Sequence, residues 1–281
     1  MILADPREPA TVLFPARVPE PTEAMTLAES EAFAAWQAGP AGQAFYRALA
    51  RQVAAALGPH LSTDAPRVLS VGEGEGLLAA ELARHRPGWR VVGLDVCRDV
   101  VARARTRPGL PENVRFVRGS VYELTRRWDA VISVSAFHHF HEPRRALEAM
   151  AGALEPQGTL YLLDLRRDAP ASAYFRRLAQ QMERDEWVKA RLFRASVAAS
   201  HTADELSDLL EGLGRAEVRA LRLAPAALAA LGGVGALSDV APLLQDLHLE
   251  AWLTRGPRAA PSGPLCRTSR PEASLVATQA S

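Results

Sequence analysis

At 281 residues the chain is long enough for one large α/β domain or two small ones. Its 48% hydrophobic and 23% charged residues are those of an ordinary globular protein, and no apolar run nears the ~20 residues that span a membrane. A net charge of +1 excludes a strong field for nucleic acid, and two cysteines, Cys97 and Cys266, exclude a disulfide framework or a Cys-x-x-Cys metal site.

Residues 1–23 hold five prolines and no sustained period, which predicts a flexible or loosely draped arm. They lack the basic region and apolar core of a secretory signal, so a cytoplasmic location is expected. Residues 24–62 read as a helical cap: Phe45, Leu49, Val53 and Leu57 recur at four-residue steps, and Gly39-Pro40 separates them from a preceding helix. Residues 63–257 form the main domain. Runs at 68–71, 91–95, 114–117, 130–134 and 160–163 are continuously apolar, the mark of strands buried on both faces. Helical patterns at 77–86, 98–105 and 144–154 lie between them, so a parallel, doubly wound sheet follows.

From 165 to 201 the alternation lapses into amphipathic pieces carrying Tyr174, Phe175, Leu178, Trp187 and Phe193, which predicts a helical insertion. Thr202-Ala-Asp-Glu205 is a capping box opening a helix with Leu206, Leu209, Leu210 and Leu213 on one face. Sixth and seventh strands are expected at 216–223 and 250–255, joined by a helical excursion over 224–247. Residues 258–281 read as a disordered tail.

The chemistry concentrates in the stretch from Arg67 to Gly76, Arg-Val-Leu-Ser-Val-Gly-Glu-Gly-Glu-Gly, with Asp95 closing the next strand nineteen residues on. Strand, glycine turn, helix, strand and carboxylate make the layout of a nucleotide-type cofactor site. The dinucleotide fingerprint needs its third glycine one place later, where Leu77 stands. Glu73 and Glu75 would repel a diphosphate, so a cofactor bearing positive charge fits the turn better. A tight strand-to-helix turn would by itself also call for glycines, and Asp95 would by itself suit a helix N-cap.

Together with Gly119-Ser120-Val121 after the third strand, the run from Trp128 to Phe140, and Leu-Glu-Pro-Gln-Gly-Thr-Leu over 154–160, these motifs resemble the class I S-adenosylmethionine-dependent methyltransferases, in their small-molecule branch. The resemblance covers about Phe45 to Arg255. It implies a Rossmann-like, seven-stranded, mostly parallel sheet with an N-terminal helical cap. It also implies transfer of a methyl group from S-adenosyl-L-methionine to a small acceptor, with the protein a monomer or homodimer. Gly72, Glu73, Gly74, Gly76, Asp95, Val96, Ser120, Val121 and Ser135 are then the cofactor-binding residues, Asp95 holding the ribose and Ser120 the adenine. The family usually carries a carboxylate at Ser70; Glu73 or Glu75 compensates, or cofactor affinity is low. A weak or repurposed member acting as a binding module is the alternative, and a nicotinamide oxidoreductase is disfavoured by Leu77.

The stretch Ser133-Val-Ser-Ala-Phe-His-His-Phe-His141 ends the fourth strand, and His138, His139 and His141 are candidate general bases. No metal is expected. The resemblance places Phe33, Trp36, Phe45 and Tyr46 in front of the acceptor and the insertion's aromatics behind it, walls suited to a planar or greasy molecule. There is no Asn-Pro-Pro-Tyr or Asp-Pro-Pro-Tyr motif and no catalytic cysteine after the fourth or fifth strand, which argues against nucleic-acid base methylation.

Overall fold

The valine- and leucine-rich runs become strands β1 (Arg67–Val71), β2 (Arg90–Asp95), β3 (Val114–Arg118), β4 (Trp128–Val134) and β5 (Leu154–Leu165), followed by β6 (Arg215–Leu221) and β7 (His248–Thr254). They form a seven-stranded sheet in the order β3-β2-β1-β4-β5-β7-β6 in a computed structural model that describes residues 16–21, 27–168, 195–221, 226–227 and 248–254. β1 to β5 are mutually parallel, and β7 runs antiparallel to both β5 and β6.

Helices α1 (Leu27–Ala38), α2 (Pro40–Leu57), α3 (Leu77–His85), α4 (Arg98–Thr106), α5 (Pro143–Gly152) and α6 (Ala203–Leu210) pack around this sheet. Adjacent strand residues feed opposite layers. Val68, Val91, Ile132 and Tyr161 meet Leu49, Val53 and Leu57 of α2 and Leu78 and Leu82 of α3. Leu69, Val131, Leu160 and Leu162 meet Leu147 and Met150 of α5 and Leu206 and Leu210 of α6. The layers explain why the strands read as unbroken apolar runs.

Three element boundaries differ from expectation. The helix expected over 144–154 begins with Pro143 at its first position, where a missing N–H costs nothing, and ends at Gly152. Leu154 already belongs to β5, which is twelve residues long instead of four. Its entry includes Gln157, held at φ 70°, a left-handed value that a glycine would adopt without strain. β7 begins at His248, two residues earlier than expected. The capping box at Thr202 is formed in both directions.

The arm expected to be flexible is pinned where it is described, over 16–21. The Arg17 guanidinium donates to the carbonyls of Ala199 (2.6 Å), His138 (2.9 Å) and Phe140 (3.0 Å), and the Val18 N–H donates to Ala198. The insertion's aromatics, Tyr174, Phe175, Trp187 and Phe193, lie outside the described residues, as do most of 224–247, the 258–281 tail and the Phe33 side chain.

After β1 the chain builds outward through β2 and β3, then returns to β4 on the other side of β1. This reversal opens a crevice at the carboxyl ends of β1 and β4, the place where open α/β sheets bind ligands.

Candidate cofactor and acceptor site

The glycine turn between β1 and α3 fills one wall of that crevice. Gly72, Gly74 and Gly76 all have left-handed φ, at 71°, 61° and 82°. Two of them are glycines for packing as well. A Cβ on Gly72 would lie 2.5 Å from Cβ of Ala136, and one on Gly76 would lie 2.7 Å from the Phe116 ring. A Cβ on Gly74 would meet nothing within 4 Å. The turn therefore leaves open space beside Gly74, at the strand ends.

Asp95 closes β2 and fastens the turn. Its Oδ2 accepts from the Gly74 N–H at 2.8 Å and its Oδ1 from the Cys97 N–H at 2.9 Å. Burial raises its pKa, and these two N–H donors oppose that. Each carboxylate oxygen keeps a further lone pair for a ligand hydroxyl. The N-cap of α4 is Cys97, so Asp95 is not the cap: it holds the Cys97 N–H ahead of the helix and still has acceptors to offer. Val96 beside it is an exposed apolar side chain.

The two turn glutamates behave differently. Glu73 folds inward, and its Oε1 accepts from the Ala79 N–H at 2.7 Å in the first turn of α3. Its Oε2 is buried without a hydrogen-bond partner. Burial pushes its pKa up to about 7, while the neighbouring Ser70 hydroxyl and the Ala79 N–H pull the other way. Ser70 and Glu73 thus share one buried spot, which brings a carboxylate beside position 70. Glu75 turns instead to Arg103, which reaches its Oε1 at 2.6 Å, and to Ser30 of α1 at 3.3 Å. Arg107 donates to its carbonyl at 2.9 Å.

Ser120 caps the 3-10 turn Val121–Glu123, accepting from the Tyr122 N–H at 3.2 Å, while Val121 is buried in the core. Gly119 ties this turn to the Asp95 carbonyl at 3.0 Å. On the opposite lip, Ser135 follows β4 at φ 53°, and its N–H donates to the Leu163 carbonyl at 2.7 Å. A non-glycine residue in that region costs about 1 kcal/mol or more and clusters at ligand sites.

His138 and His139 follow in the 3-10 turn Phe137–His139, and His141 lies two residues beyond it. His138 is buried, with its Nδ1 2.6 Å from Oδ1 of Asp164 and its own N–H donating to Oδ2 at 2.8 Å. Burial alone would lower the His138 pKa, but the Asp164 carboxylate reverses the sign. The His139 Nδ1 lies 2.7 Å from Oε2 of Glu20, and His141 Nε2 lies 2.8 Å from the Glu20 carbonyl. All three expected bases therefore have partners. Sequence reasoning gave no role to Asp164, Glu20 or Arg17. Asp164 carried a signal, a carboxylate at a strand end like Asp95; Glu20 and Arg17, in a proline-rich arm, carried none. Trp36, Phe45 and Tyr46 pack against one another at 5.4–6.0 Å between ring centres.

The donor set fits the cofactor of the resemblance. The turn gathers three carboxylates, Glu73, Glu75 and Asp95, against two arginines, Arg103 on the Glu75 carboxylate and Arg107 on its carbonyl, so the cradle favours a cation over a diphosphate. A family model for the methyltransferase domain matches residues 41–216. The chain belongs to that family. An uncharacterized methyltransferase of Mycobacterium bovis is 41% identical over 97 residues, 33% of this chain and 47% of that protein. The demethylmenaquinone methyltransferase of Deinococcus radiodurans is 32% identical over 125 residues, 43% of this chain and 51% of that protein. The trans-aconitate 2-methyltransferase of the same organism is 29% identical over 157 residues, covering 55% and 60%. The chain thus spans roughly half the length of the curated relatives it matches. Among solved structures, the plantazolicin methyltransferase BpumL in complex with SAH superposes with a TM-score of 0.55 over 82% of this chain and 90% of that one, at 16% identity, a likeness of fold.

Proposed function

We propose that this methyltransferase-family chain transfers a methyl group from S-adenosylmethionine to a small-molecule acceptor. The carrying observation is the open space beside Gly74, bounded by a carboxylate with lone pairs to spare and placed at the sheet's switch point. The cofactor, when bound, supplies an electrophilic methyl carbon on a sulfonium.

The chain's own residues do the rest. Asp95 takes the ribose hydroxyls, Val96 and Val121 lie on the base side, and Ser120 offers its hydroxyl there. The bare backbone of Gly72, Gly74 and Gly76 lets the methionine moiety approach, and Glu73 holds negative charge beneath it. Ser135 and His139 line the acceptor side. The reaction asks mainly that nucleophile, methyl carbon and sulfur be held in line, which can supply roughly 7–11 kcal/mol of the barrier. The names of the relatives acting on demethylmenaquinone and trans-aconitate favour a small acceptor, as does the near-neutral charge. No helix among the described residues is long and apolar enough to cross a membrane.

Calorimetric titration with S-adenosylmethionine and S-adenosylhomocysteine tests this reading, with NAD as control. Micromolar binding of both, weakened about 100-fold or more by Asp95→Ala, is the expected result. A well-folded protein that binds neither would sink it and leave a partner-binding module.

A further inference from the structure

We propose that Glu20, His138 and His139 form a binding site for a divalent first-row transition-metal ion on the acceptor side of the cofactor cradle. One carboxylate oxygen and one ring nitrogen from each histidine lie within 4.8 Å of one another. Metal–ligand bonds of ~2.0–2.2 Å place donors about 3–4 Å apart, so small side-chain rotations complete the site. Two imidazoles and one carboxylate suit zinc, iron, cobalt or nickel and do not suit magnesium or calcium.

The surroundings are arranged as such a site requires. Asp164 occupies Nδ1 of His138 at 2.6 Å and holds that residue's N–H with its other oxygen, which fixes the ring and its tautomer. The nitrogen left for an ion is Nε2. A ligating histidine that gives its other nitrogen to a carboxylate is the common arrangement at protein metal centres. Glu20 is held just as firmly. Its Oε1 accepts from Ser196 at 2.9 Å, which aims Oε2 at His139, and Arg17 locks the segment to three backbone carbonyls. Glu20 and His139 keep side-chain exposures of 15% and 22%, so open coordination positions would face their side. That side adjoins the cradle: Ala136 beneath Gly72 immediately precedes this turn, and His139 lies near enough to Asp95 to affect it electrostatically.

Three protein ligands with open positions belong to a working ion rather than a structural one. The acceptor class implied, which rests on the methyltransferase reading, is one with two adjacent oxygens, a catechol, an enediol or a hydroxy acid. Its hydroxyl would release a proton to solvent on binding the ion. The oxygen would then bond the methyl carbon as the S–CH₃ bond breaks and sulfur keeps the electron pair. The ion would thereby do the work expected of a histidine base.

The test strips the full chain with chelator and titrates it with zinc by calorimetry, then reads the visible spectrum of the cobalt form. One equivalent per chain is expected, with cobalt bands of a nitrogen–oxygen site free of thiolate charge transfer. Glu20→Gln and His139→Ala should each weaken zinc at least about 50-fold with unchanged circular dichroism, and Asp164→Asn by roughly 10–100-fold. His85→Ala, far along α3, should change nothing. No zinc binding to the stripped wild type, or binding that survives both ligand substitutions, overturns the site and leaves the cluster as hydrogen bonds alone. S-adenosylhomocysteine titrated into the stripped protein separates this outcome from failure of the methyltransferase reading.

Discussion

Glu73 sets the pH behaviour of the cradle. Its pKa in the folded protein is raised to about 7 from 4.5. A carboxyl with a raised folded value stabilises the protein below its unfolded pKa, and that contribution is lost as pH climbs from about 4.5 through 7. At one pKa unit per 1.36 kcal/mol, ionised Glu73 costs on the order of 3 kcal/mol. Glu73→Gln should therefore raise the melting temperature by roughly 5–10 °C at pH 8 and hardly at all at pH 5, read by thermal denaturation. A gain independent of pH would show that Glu73 does not titrate. A bound cation favours the ionised form, so S-adenosylmethionine should bind more tightly at pH 8 than at pH 6, and the variant should flatten that difference. The glycines separate in the same way. Gly76→Ala drives a Cβ into Phe116 and Ala104 and should cost stability outright, about 2–4 kcal/mol by denaturant titration. Gly74→Ala meets no atom of the protein, so it should pay only the backbone cost of about 1 kcal/mol while blocking the cofactor.

At the scale of elements, α1 is tied to the glycine turn through one polar cluster. Ser30 and Arg103 of α4 converge on the buried Glu75 carboxylate, which joins the cap, the turn and α4. Arg103→Ala leaves that charge unpaired. Because the arginine is 37% exposed, the expected loss is a discounted one of about 1–2 kcal/mol, with weaker cofactor binding as the turn loosens, checked by melting and calorimetry together. The central strands were legible because burial on both faces leaves an unbroken apolar run, and the capping box at Thr202 because its two hydrogen bonds need particular residues at fixed spacing. The boundary of β5 was not, since Glu155, Pro156 and Gln157 read as a loop and only the pairing with β4 draws Leu154 into the sheet. The glycine turn and Asp95 were legible as a pattern. The opposite fates of Glu73 and Glu75 were not, because alternating glutamates look alike until Ala79 and Arg103 are brought to them. The three histidines stood out in the sequence, but Glu20 lies over a hundred positions away and only the folded arm brings it to His139.

For the whole molecule, the last described strand in the chain is not the last in the sheet. β7 lies between β5 and β6, and β6 pairs with no other strand among those described. A chain emerging from the ribosome therefore presents β1 to β5, the glycine turn and Asp95 before the strand that covers β5 exists, and if they pair first, one side of β5 shows unpaired N–H and C=O groups to the cell. β6 waits detached until residues 248–254 arrive and stitch it on. The parts that would hold the cofactor are thus synthesised before the strand that seals the sheet, and a chain released ahead of His248 lacks the partner of one β5 edge. Chains cut at residue 247 should collect in the insoluble fraction, and adding the 248–254 segment as a separate peptide should draw part of them back into solution.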